Sequence, residues 1–332
     1  MKDFVVENRV LKKYRGLKRD VVIPDGVEVI ARSAFEKRRS IKSIHIPEGV
    51  TKIEKYSFSD CDSLQRVSLP NSIVFCGDFS FNPFAKSNRY KSCYYLGNNE
   101  NPYHVLWKDY YDAENAQELH SNTKLIMDGL FQTFNKLPES AYTRYDNAFY
   151  VGSADNPYHL LVKAINTDIK TCDIHKDTKI INISAFEDCC NLEAAHIPEG
   201  VCHIGSTAFM GCSSLQKVDL PNSLKAISRA TFKWCKKLEE IVIPDSVLHI
   251  GDQAFLGCES LVDVIVPNGV LTLEDFSFGR CHNLQKVVLP ETLISIDGGI
   301  FRSGKIDTSI YAPAGSYAIQ YAKENDIPYE EI

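Results

Sequence analysis

The chain repeats itself every 23 residues, and this period restricts its fold more than any other feature. An Ile/Leu/Val-Pro dipeptide places prolines at 24, 47 and 70, then at 198, 221, 244, 267 and 290. Eleven residues after each comes a phenylalanine: Phe35, Phe58, Phe81, Phe209, Phe232, Phe255, Phe278 and Phe301. Two further units carry His120 and His175 in the proline slot and keep Phe131 and Phe186 at the same offset. Six residues past the anchor the column reads Ile30, Ile53, Ile126, Ile181, Ile204, Ile227, Ile250, Leu273 and Ile296, with Cys76 the exception. A length of 332 residues would ordinarily imply two or three compact domains, but a repeat protein lengthens by stacking units.

The stretch Leu261-Val262-Asp263-Val264-Ile265-Val266-Pro267 alternates inward aliphatics with outward residues, as a short strand does. Proline ends that strand because it has no N–H for the next ladder bond. A turn such as Asp25-Gly26 or Asn268-Gly269 leads to a second apolar segment, for example Val247-Leu248-His249-Ile250-Gly251. Ala254-Phe255 starts the return on the other face. So short a unit leaves little room for a full helix, so turns or 3₁₀ pieces are expected there. One unit cannot bury its apolar face alone, and stacked neighbours would share a continuous core with a phenylalanine ladder. The predicted fold is a β-rich α/β repeat solenoid.

The unit is legible in Cys235-Lys236-Lys237-Leu238 through Ile243-Pro244 to Gly251, Ala254-Phe255 and Cys258. This pattern, sustained from about residue 21 to 313, resembles the BspA-like leucine-rich repeat family. The resemblance implies a curved right-handed leucine-rich-repeat superhelix. It also implies a surface or host-interaction role, and it carries no catalytic residue.

The chain reads as one domain, 1–332, with a cap hairpin at 1–20 and a first repeat block at 21–82. Two hairpin-like interruptions around one repeat fill 83–173, a second block runs over 174–304, and 305–332 form a C-terminal cap. The interruptions are near copies: Tyr94-Tyr95-Leu96-Gly97 through Asn101-Pro102-Tyr103-His104 returns as Phe149-Tyr150-Val151-Gly152 through Asn156-Pro157-Tyr158-His159. Asn-Pro is itself a turn former, so a structural turn is the expected role. Phe4 to Leu11 reads as a hairpin turning at Glu7-Asn8. Ser316 reads as the N-cap of a helix from Tyr317 to about Asn325.

A net charge of −6 argues against a generic nucleic-acid binder, and no apolar run is long enough to span a bilayer. The opening residues lack the apolar core of a signal peptide, which leans cytoplasmic, whereas the family resemblance leans to the cell surface or exterior. Cys61, Cys189, Cys212, Cys235, Cys258 and Cys281 share one column, with Arg38 in that slot of the first coil. Without local Cys-x-x-Cys pairs they do not form a metal site, and a parallel ladder splays side chains too widely for disulfides. They are expected to be buried thiols packing like apolar residues. His45 with His196, and His203 with His249, occupy outward positions and read as solvated scaffold histidines. Nucleophile elbows, phosphate loops and His-Glu-x-x-His are missing, so no enzyme, cofactor or metal is expected.

The functional signal lies on the outward positions of the main strands. In the C-terminal coils they are Lys217 with Asp219, Glu240 with Val242, Asp263 with Ile265, Lys286 with Val288, and Ser309 with Tyr311. One column alternates charge and the other is apolar over Val242, Ile265, Val288 and Tyr311, the composition of a protein-binding face. The β-branched residues also simply favour strands, which leaves a structural reading open. The expected partner is a protein or surface polymer bound by a monomer, with no membrane insertion. The alternative is a glycan binder that stacks sugars on Tyr94, Tyr95, Tyr103, Trp107, Tyr150 and Tyr158.

Overall fold

The computed structural model of the protein describes residues 3–54, 56–61, 63–64, 66–68, 70, 72, 75–76, 94–96, 123–124, 139–152, 156–301 and 308–332. The chain divides into two compact units, Met1–Asp128 and Gly129–Ile332. Each is a β-solenoid of stacked coils. The first interruption apart from residues 94–96, and the unit around His120 and Phe131 apart from residues 123–124, lie outside the described residues.

Among the described residues most coils contribute a main strand, a two-residue second strand and a turn corner that bond to the same parts of the next coil. The second unit has breaks between Lys217–Asp219 and Asp263–Ile265 and between His203–Ile204 and Ala226–Ile227. In the first unit, Asp20–Val22, Ser43–His45 and Arg66–Ser68 pair parallel, each residue with its counterpart one repeat on. Val29–Ile30, Lys52–Ile53 and Phe75–Cys76 pair likewise on the second face. In the second unit the main ladder is split into two sheets. One holds Thr171–Asp173, Ala194–His196 and Lys217–Asp219. The other holds Asp263–Ile265, Lys286–Val288, Ser309–Ala312 and Tyr329–Glu331. Residues 240–242, expected as a strand, keep the in–out alternation but join neither sheet. The ladder opens there: the Glu239 N–H lies 3.4 Å from the Gln216 carbonyl, against 2.9 Å for the bond from Gln216 to Glu193.

The phenylalanine corner is built from turns carrying residues with left-handed backbone. Two residues before the phenylalanine, φ is positive at Ser184, Thr207, Ala230, Gln253 and Phe276; two residues after it, at Asp188, Gly211, Trp234, Gly257 and Arg280. Positive φ costs a side-chain-bearing residue about 1 kcal/mol or more. Inter-coil bonds hold the geometry: Phe209 N–H donates to the Thr231 carbonyl at 2.9 Å, Phe232 to Ala254 at 2.8 Å and Phe255 to Ser277 at 2.8 Å. Gly257 is required twice over, because its φ is +78° and an added Cβ would lie 2.1 Å from the Trp234 ring.

The core is the predicted ladder. Phe186, Phe209, Phe232, Phe255 and Phe278 stack with ring centres 5.0, 5.5, 5.6 and 5.4 Å apart, and Phe301 follows at 6.4 Å. In the first unit Tyr14 stands below Phe35 at 5.1 Å and Phe35 below Phe58 at 4.9 Å. Tyr14 precedes Phe35 by slightly less than one full repeat, out of phase, which hid it in the repeat alignment.

Both units place an antiparallel pair with a register shift before their parallel second-face strands, and in the second unit Thr143–Tyr145 pairs beyond it. Phe4–Glu7 pairs antiparallel with Val10–Tyr14, with a register shift between Val5 and Val6. Ala148–Val151 pairs with Leu160–Ala164, with the same shift between Phe149 and Tyr150. Each then passes into a parallel partner, Val29–Ile30 or Ile180–Ile181. The second interruption therefore has the form of a cap hairpin. The first hairpin turns at Asn8-Arg9 rather than at Glu7-Asn8, because those two residues carry the positive φ values, 47° and 64°, of a type I′ turn. At the other end Ser316 caps the helix Tyr317–Glu324 and accepts the Ile319 N–H.

Phe255→Ala should lower stability by roughly 3–5 kcal/mol, read from the denaturation midpoint, because the stacked rungs on both sides prevent collapse into the hole. Lys37→Gly, at an exposed corner residue with φ 63°, should raise stability by about 0.5–1 kcal/mol.

Candidate functional site

The outward residues of the main strands form the candidate face. Asp263 pairs with Lys286 and Lys286 in turn with Ser309, and Ile265 pairs with Val288 and Val288 with Tyr311, in successive coils. Between them Val264, Val287 and Ile310 point inward and are buried. Register alone therefore puts the apolar column in line. Val242 is 76% exposed and Ile265 67%, whereas Val288 and Tyr311 are half-buried. Lys286 lies over the Tyr311 ring at 4.3 Å, covering it with a cation.

The charged column is unevenly paired. Lys217 and His196 both reach Asp219, at 3.5 Å each. Glu240 and Asp263 are exposed and form no ion pair among the described residues. Val262 adjoins this region and is 41% exposed, and it was not among the predicted residues. The sequence did carry a signal: its column otherwise holds Lys42, Gln65, Glu193, Gln216, Glu239 and Gln285, so Val262 alone is apolar there.

Of the alternative aromatic set, Tyr150 is 0% exposed, contrary to its expected role as a sugar platform. It faces the core, and its hydroxyl accepts the His175 N–H at 3.3 Å. Tyr158 stacks on His175 at 3.7 Å, so that ring face is occupied. The side chains of Tyr94 and Tyr95, and Tyr103 and Trp107 altogether, lie outside the described residues. The Asn-Pro-Tyr segment is closed on itself. Asn156 accepts the Tyr158 N–H at 3.1 Å and donates to the Asp177 carbonyl at 2.9 Å. A Cβ at Gly152 would lie 1.9 Å from the Asn156 carbonyl oxygen, which explains the glycine.

The cysteine column is buried and unbridged. Its thiols are more than apolar filler. Cys212 donates to the Phe186 carbonyl at 3.1 Å, Cys235 to Phe209 at 3.2 Å, Cys258 to Phe232 at 3.1 Å and Cys281 to Phe255 at 3.2 Å. Each thiol thus tethers its coil to the phenylalanine corner of the preceding one. Burial pushes the Cys281 thiol up to about 12 and Cys189 up to about 11, away from nucleophilic chemistry.

The histidines divide. His45 and His196 are exposed, as expected. His249 is 0% exposed, because Ala226 and Thr272 stack against it in register, and its Nδ1 lies 2.9 Å from the Thr272 hydroxyl. His203 is half-buried, and desolvation lowers its pKa to about 4. His249 is therefore not a solvated scaffold residue, and His203 is one only in part. In His249–Ile250 both residues are packed, and in His203–Ile204 the first is half-buried, so period-2 alternation does not apply to these short strands.

Because the folded His203 pKa lies below the ordinary 6.5, its contribution to stability is complete above that value and lost as pH falls towards 4. His203→Gln should flatten the pH dependence of the melting temperature between those limits. In native protein treated with iodoacetamide, mass spectrometry should find exposed Cys190 labelled and Cys212, Cys235, Cys258 and Cys281 labelled only after denaturation.

The profile of the BspA type leucine-rich repeat region matches in 6 copies over residues 11–98 and 165–270, more than half of the chain. Among solved structures, a leucine-rich repeat protein from Bacteroides ovatus is similar, with 19% identity, 98% of this chain and 94% of that one covered, and a TM-score of 0.45. The pneumococcal vaccine antigen PcpA is 18% identical over 95% of this chain and 68% of its own, with a TM-score of 0.43. A leucine-rich cell surface protein from Faecalibacterium prausnitzii is 20% identical over 95% and 63%, with a TM-score of 0.39. No curated protein matches the chain. On the matched repeats, the chain belongs to the BspA-type leucine-rich repeat family.

Proposed function

We propose that the protein is a non-catalytic interaction scaffold and that the outward strand face of its C-terminal coils holds a protein partner. The observation that carries this reading is the exposure of Val242 and Ile265, 76% and 67%, in one column of adjacent coils. One exposed aliphatic is ordinary on any surface. Here Val242, Val262 and Ile265 lie within neighbouring coils about 4.8 Å apart, with Glu240 and Asp263 beside them. Apolar residues at the centre and unpaired charge at the rim favour a partner that brings an apolar anchor flanked by cations. The proposed contact set is Lys217, Asp219, Glu240, Val242, Asp263, Ile265, Lys286, Val288 and Tyr311, with Val262 added. Asp219 lies beside Lys217 and His196, and Tyr311 lies beneath Lys286.

A location at the cell surface fits this reading and the family. No helix among the described residues is long and apolar enough to cross a membrane. The aromatic set for a glycan loses Tyr150 to the core, so a protein is the preferred partner.

The test is a pull-down from the native surroundings with wild type, Val242→Lys/Ile265→Lys and a control, Lys225→Glu, on another face. The double lysine variant should lose the captured partner without a change in melting temperature, and the control should retain it. Equal capture by all three would end the assignment of this face.

A further inference from the structure

We infer that the Arg15–Arg19 loop is a docking point for an anionic phospholipid surface. Residues 1–50 hold twelve Lys or Arg against seven Asp or Glu, in a chain whose net charge is −6. From Arg9 to Arg19 six cations occur and no acid, with Arg9 paired to Glu28 and exposed Asp20 following the stretch. Arg15, Lys18 and Arg19 are exposed, as is Lys42 in the next coil, and none forms an ion pair among the described residues. Lys42 adjoins the loop directly, its N–H donating to the Arg19 carbonyl at 2.6 Å.

At the centre of these cations stands Leu17, 83% exposed, the highest value of any large apolar side chain described. The fold builds that exposure. Tyr14 is fully buried in the aromatic ladder, and its hydroxyl accepts the Lys18 N–H at 3.3 Å. On the other side of Leu17, Gly16 lies so close over the same hydroxyl that a Cβ would come within 2.3 Å of it. The Arg15 N–H is tied to the Asp3 carbonyl at 2.6 Å. Pinned before and after, the loop cannot fold Leu17 inward, although hydrophobic burial would favour it.

A polyanion would be recognised by the cations alone and would gain nothing from the leucine. An anionic bilayer uses both: the headgroups attract the Lys and Arg side chains, and the acyl boundary accepts Leu17. Each cation near such a surface is worth about fivefold in affinity, and one inserted side chain a further several-fold, so the association is reversible and salt-sensitive.

The experiment is sedimentation of the full chain with vesicles of phosphatidylcholine alone or mixed equally with phosphatidylglycerol, with dextran sulfate beads in parallel. Wild type should bind the mixed vesicles and not the neutral ones. Lys18→Glu/Arg19→Glu should lower that binding by roughly tenfold or more. Leu17→Ser should lower vesicle binding several-fold yet leave retention on dextran sulfate unchanged. Thermal melts of both variants should match wild type, since the altered side chains are exposed. Absent binding to the mixed vesicles, or vesicle binding unaffected by Leu17→Ser, overturns the proposal; in the second case the loop is a general polyanion site. This outcome is independent of the Val242 and Ile265 face.

Discussion

The structure depends on one constraint: a single coil satisfies neither its backbone nor its apolar face without a neighbour in register. The corner around each phenylalanine shows this most clearly. Its backbone N–H groups donate to the next coil, as from Phe232 to Ala254, while residues on both sides occupy left-handed conformations at a local cost. Stacking offsets that cost because the same displacement also places ring on ring and thiol on carbonyl. The Phe209 carbonyl receives the Cys212 N–H of its own coil and the Cys235 thiol of the next. Local strain and long-range order are therefore one feature of the design.

The same constraint explains the cap hairpins. The first coil of a stack has no neighbour on one side, so its open second-face strand must be covered. Val10–Tyr14 pairs with Val29–Ile30 and Leu160–Ala164 with Ile180–Ile181, each from an antiparallel pair with the same bulge, although their turns differ in length and sequence. In the first hairpin, Tyr14 enters the ladder with its ring and holds the following loop with its hydroxyl. One side chain thus links the core to a surface feature with its own electrostatic character.

Much of the fold was legible because stacking requires the same residue type at the same step, and repetition displays that requirement. Phe186 to Phe301, the buried thiols, the Ser316 cap and the outward position of Ile265 were all readable. The Asn8-Arg9 turn was not, since only backbone angles distinguish it from the neighbouring dipeptide. Nor was Tyr14, because the hairpin shortens the spacing to the first rung. The candidate face was legible as two columns but not as a set of exposures: Lys286 over Tyr311 and the opening at 240–242 arise from contacts between coils.

By itself the sequence determined that coils stack, which residues share a rung, and that the cysteines belong to the core. Those follow from period and residue type, which are local properties repeated. Tertiary structure alone decided how deep each outward residue lies. His249 and Ile265 both follow an inward-outward rule in the sequence, yet one is enclosed by Ala226 and Thr272 and the other stands 67% exposed. Exposure depends on what the adjacent coils place beside a residue, and that information is held one full repeat away in each direction.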